Sequence, residues 1–104
     1  MQKYLVKFVI NVADEDDAIL LTVVDESTLK KIKKSTIEAS MFQCDNDPEY
    51  FEEMLFGSTV EITEISDEEY EILKKLNIYT ESGSIRFYDN KDNRIKLPDW
   101  KSLS

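Results

Sequence analysis

Tyr4, Val6, Phe8, Ile10 and Val12 occupy every second position, with Lys7 and Asn11 between them. That period of two gives a strand one apolar face. An acidic turn follows, holding Asp14, Glu15, Asp16 and Asp17, and then the apolar, β-branched run AILLTVV from Ala18 to Val24. The two runs predict a hairpin with its acids at the tip. In DESTLKKIKKS, Ser27 or Thr28 is placed to cap a short helix, with Leu29 and Ile32 turned inward and Lys30, Lys31, Lys33 and Lys34 turned to water.

Residues 36–43 carry both periods. Ile37, Ala39 and Met41 alternate as in a strand, while Ile37 and Met41 also form an i+4 pair. Ala, Glu and Met form helices more readily than strands, which tips the expectation to helix. Asp47 as cap, Pro48 at the first helical position and Gly57 past the last turn delimit a helix over 48–56. Tyr50 with Met54 and Phe51 with Leu55 make its apolar pairs, and Glu49, Glu52 and Glu53 share another face. Residues 59–65 then alternate as a strand, with Val60 and Ile62 inward and Glu61 and Thr63 outward.

The stretch EISDEEYEIL begins a helix. Ser66 and Glu69 have the spacing of a capping box, and Ile65 and Tyr70 that of a hydrophobic staple. Asp67 and Glu68 fall in the first turn, where the helix dipole favours negative charge, and Glu71 reaches Lys75 at i+4. Ile85 with Phe87 and Ile95 with Leu97 then flank the polar turn DNKDN as a second hairpin that Pro98 ends. The element order is β-β-α-α-β-α-β-β. It defines an α+β domain over 1–98, with a mixed or antiparallel sheet of about five strands and two to three short helices. Residues 99–104 read as a tail anchored by Trp100.

Composition places limits on function. The chain has 104 residues, enough for one modest core, and eleven aromatics (five Phe, five Tyr, one Trp) suit a globular domain. No apolar run nears the roughly 18 residues a membrane helix needs, and the amino-terminal run reads as a strand rather than a signal peptide. A single cysteine, Cys44, allows no intrachain disulfide, and a reducing, cytoplasmic setting is expected. Histidine is absent, which removes the commonest general base and metal ligand together.

Charge changes the picture most. The net charge is −9, yet no Lys or Arg lies between Lys34 and Lys74. The 39 residues from Ser35 to Leu73 hold twelve acids and total −12, leaving +3 on the other 65 residues. Such a field disfavours direct contact with nucleic acid or an anionic membrane and favours a basic partner.

Candidate chemistry is sparse. Cys44 has Asp45 and Asp47 beside it, which oppose a reactive thiolate, so it reads as inert. Asp45, Asp47 and Glu49 have the spacing that opens a calcium loop. Pro48 interrupts it, however, and Phe56 stands where the bidentate Glu belongs. No phosphate-cradling glycine loop, nucleophile elbow or Cys/His metal spacing occurs, so neither a catalytic residue nor a cofactor or metal site is assigned. Arg86, Lys91, Arg94, Lys96 and Lys101 interleave with Phe87, Tyr88 and Trp100, a pattern that can bind single strands. A hairpin with an apolar inner face and solubilising outer bases accounts for it better.

The expected function is therefore a non-enzymatic, acidic protein-binding domain. It would be an inhibitor that docks on a basic, nucleic-acid-binding protein or nuclease, as small anti-defence and immunity proteins do. Glu49, Glu52, Glu53, Glu61, Glu64, Asp67, Glu68 and Glu71 are the expected contacts. A structural subunit or homo-oligomer such as a dimer, pairing through an edge strand, is the first rival, and a small-molecule binder the second.

Overall fold

A computed structural model of the chain describes residues 2–10, 17–39, 42–45, 59–82 and 85–103. Two antiparallel sheets carry the α+β fold. In the first, β5 (Thr59–Ile65), β1 (Lys3–Ile10), β2 (Ala18–Asp25) and β6 (Thr80–Ser82) are neighbours in that order. In the second the order is β4 (Phe42–Asp45), β3 (Thr36–Ala39), β7 (Ile85–Tyr88) and β8 (Arg94–Ile95). The strands thus exceed the expected five and divide between two sheets rather than one.

The alternation of β1 decides how the sheets meet. Val6, Phe8 and Ile10 are fully buried on one face and pack with Ala18, Leu20 and Val24 of β2 and Val60 of β5. Ile37 and Ala39 of β3 and Ile85 and Phe87 of β7 complete this core from the second sheet, with the Phe8 and Phe87 rings 5.4 Å apart. Helix α1 (Glu26–Lys33) adds Leu29 and Ile32. Its cap is Asp25, whose Oδ1 accepts from the Thr28 amide at 2.8 Å, rather than Ser27 or Thr28. Hydrogen bonds from the Thr28 side chain and then from its amide hold the Asp25 carboxyl below its ordinary value.

Residues 36–39 are strand, which overturns the expectation of helix. Their intrinsic preference yields to pairing on both sides, with Ile37 opposite Cys44 on β4 and Phe87 on β7. The same register sets Glu38 opposite Arg86, and their side chains pair at 2.6 Å. The expected helix over 48–56 lies outside the described residues.

The opposite face of the first sheet holds a second, smaller core. Val23 and Ile65 pack there with Tyr70 of α2 (Asp67–Leu76) and with Trp100, and Leu5, Leu73, Ile78 and Leu103 lie at its margin. The expected capping box is formed in both directions: the Glu69 amide donates to Ser66 Oγ at 3.1 Å, and the Ser66 amide to Glu69 Oε1 at 3.0 Å. Ile65 and Tyr70 meet as the staple predicts. Glu71 pairs with Lys74 at i+3 and 2.9 Å, rather than with Lys75. Residues Trp100–Ser102 form a 3-10 turn against α2, where the Tyr70 hydroxyl donates to the Trp100 carbonyl at 2.7 Å and accepts from the Leu103 amide at 3.0 Å.

Candidate functional site

The fold separates the two signs of charge. Strand β5 forms one edge of the first sheet and, among the described residues, pairs only with β1. Glu61 and Glu64 are exposed on it, three apart and so on opposite faces of the strand. Partial desolvation, and after it the charges of Glu64 and Glu26, hold the Tyr4 hydroxyl above its ordinary value. Asp67 and Glu68 follow directly on α2. Asp67 is committed to Lys3, whose buried side chain reaches it at 3.1 Å, and this bond holds the Asp67 carboxyl low. Glu71 is committed to Lys74, whereas Glu61, Glu64 and Glu68 have no ion pair among the described residues. Glu49, Glu52 and Glu53 lie outside the described residues.

Sequence reasoning missed an apolar pair on this surface. Ile72 and Leu76 are 56% and 65% exposed, and with Glu68 they run four apart along one side of α2. The signal was available in the helix period, because Tyr70 and Leu73 face the second core and so leave Ile72 and Leu76 facing away.

The bases gather elsewhere. Lys31 and Lys34, at the end of α1, face Arg94 and Lys96 across a cleft of about 490 Å³, which Asp89, Asn90 and Ile95 also line. Asp89 Oδ1 accepts from the Asn93 and Lys91 amides at 2.9 and 2.8 Å, which fixes the β7–β8 turn and holds the carboxyl low. A second cleft of about 380 Å³ shares the Arg94, Ile95 and Lys96 wall and continues over Leu97 and Tyr79. Glu81 of β6 lines it too, so the bases lie towards the β6 edge of the first sheet, opposite β5. Tyr79 donates to Glu81, a bond that pushes its hydroxyl up to about 12.

The interleaved aromatics do not form a stacking surface together. Phe87 is in the main core, Trp100 is in the second core, and Arg86 is held by Glu38. No group of three His, Cys, Asp or Glu side chains with metal-binding geometry occurs among the described residues. Likewise none of the described helices is long and apolar enough to cross a membrane. Compared with known proteins, the chain matches no family model, no curated protein and no solved structure at a significant level.

Proposed function

We propose that the chain is a non-enzymatic binding domain of the cytoplasm that inhibits a basic, nucleic-acid-binding protein by docking an acidic face on it. The observation that carries this reading is on α2. The exposed Ile72 and Leu76 lie in line with Glu68, which has no ion pair among the described residues, and the preceding run from Ser35 holds no base. Productive interfaces have a small apolar centre within a polar rim, and charge complementarity at the rim sets orientation and association rate. The α2 surface has both parts. Glu68 on α2 and Glu61, on the face of β5 that Ile65 shares, present negative charge where a basic groove would otherwise hold phosphates.

The test uses the tagged chain as bait beside two variants, E61K/E64K/E68K and I72S/L76S. A nucleic-acid-binding protein retained by the parent chain, lost by both variants and released steeply with salt is the expected result. Equal retention by the charge-reversed variant would remove this face from consideration, and circular dichroism melts establish that both variants fold.

A further inference from the structure

We propose that the basic cleft between the end of α1 and the β7–β8 hairpin binds a small organic anion bearing phosphoryl groups, of nucleotide size. Lys31 and Lys34 close α1 while Arg94 and Lys96 lie in and beside β8, far along the chain, and the fold brings all four to one cavity. All four are exposed, and none is ion-paired among the described residues. The dipole of α1 accounts for bases in its own last turn. It does not account for two more bases set against them from a separate hairpin, where like charges repel. The only carboxylate in the lining, Asp89, is turned to the amides of its own loop. A multiply charged anion removes the repulsion, and Arg94 offers it the paired donors that suit phosphate oxygens.

Size and surroundings narrow the class. About 490 Å³ is too roomy for a lone phosphate and falls within the range of small-molecule sites. The adjoining groove over Tyr79 and Leu97 shares the Arg94–Lys96 wall and gives an organic body an apolar surface beside the phosphates, its one carboxylate, Glu81, accepting from the Tyr79 hydroxyl. A long nucleic acid would also meet the −9 field of the whole molecule, whereas a small anion meets chiefly the cleft.

Titration calorimetry and amide chemical shifts with ATP and with inorganic triphosphate test the assignment, in parent chain and in R94E/K96E and K31E/K34E. The expected result is saturable one-to-one binding, with ATP the tighter ligand, shifts at residues 31–35 and 89–97 with both probes, and shifts at 79–81 with ATP alone. Each variant should weaken it about tenfold or more. The two variants act from opposite walls, so misfolding of one leaves the other decisive. Absence of saturable binding to both probes, affinity unchanged in a folded variant, or tighter binding of a short single-stranded oligonucleotide would each overturn the assignment.

Discussion

Tyr70 shows how one side chain can tie three elements together. Its ring fills the second core beside Val23 and Ile65, and Lys3 and Lys74 approach that ring at 4.9 and 4.6 Å from its centroid. Its hydroxyl satisfies both the Trp100 carbonyl and the Leu103 amide. Tyr70→Phe keeps the ring but strips both backbone groups of their partner. It should cost about 1–2 kcal/mol in denaturant unfolding and shift Trp100 fluorescence to longer wavelength as the turn loosens. Four carboxyls show the same local logic through pH. Asp25, Asp67, Glu69 and Asp89 are held low by hydrogen bonds from Thr28, Lys3, Ser66 and Asn93 respectively. A depressed carboxyl binds fewer protons in the folded than in the unfolded chain, so its contribution is complete above the unfolded value near pH 4 and is lost below it. At roughly 0.15 M salt, where long-range repulsion is screened, melting temperature should stay level from pH 7 to 5 and then fall as the pH drops through the folded values. Stability that rose between pH 4 and 2 would contradict this.

At the scale of elements, β3 is fixed by what it pairs with. Glu38 and Arg86 meet across the β3–β7 register at partly buried positions, and Arg86 Nε is already without a hydrogen-bond partner among the described residues. Removing Glu38 alone leaves a half-buried guanidinium uncompensated, so Glu38→Gln should cost about 1–2 kcal/mol. Replacing both, as E38Q/R86M, should cost less than that single change, a non-additivity that a double-mutant cycle measures directly. What was legible in the sequence follows the same division. The β1–β2 hairpin and the capped start of α2 rest on contacts a few residues apart, and periodicity and cap spacing reveal them. The β3 strand rests on partners such as Phe87, which local propensity cannot see. Three-residue β6 has Thr80 and Glu81 exposed and shows no alternation to read. The basic cleft was invisible for a related reason, since Lys31 and Arg94 become neighbours only once α1 and the β7–β8 hairpin are folded.

Across the whole molecule, the acidic run presents a conflict between stability and binding that can be measured. A net charge of −9, with −12 between Ser35 and Leu73, repels itself most in the compact state. Only two of the described acids of that run on β5 and α2 are drawn to lysines, Asp67 to Lys3 and Glu71 to Lys74. Repulsion of this range is screened within about 10 Å at 0.1 M salt. Raising sodium chloride from about 0.01 to 0.3 M should therefore increase the melting temperature. The E61K/E64K/E68K variant changes the net charge to −3, because each of the three substitutions adds two units. It should melt higher than the parent at low salt, with the difference shrinking as salt rises. None of these three side chains has an ion pair among the described residues, so the gain is opposed only by local costs of about 0.3–1 kcal/mol each, at Glu68 in the first turn of α2 and at Glu61 opposite Lys7. If the acids serve docking, this more stable variant is also the one that loses the basic partner. If it is instead less stable at low salt, the acids take part in folding and the surface is not kept acidic at the expense of stability.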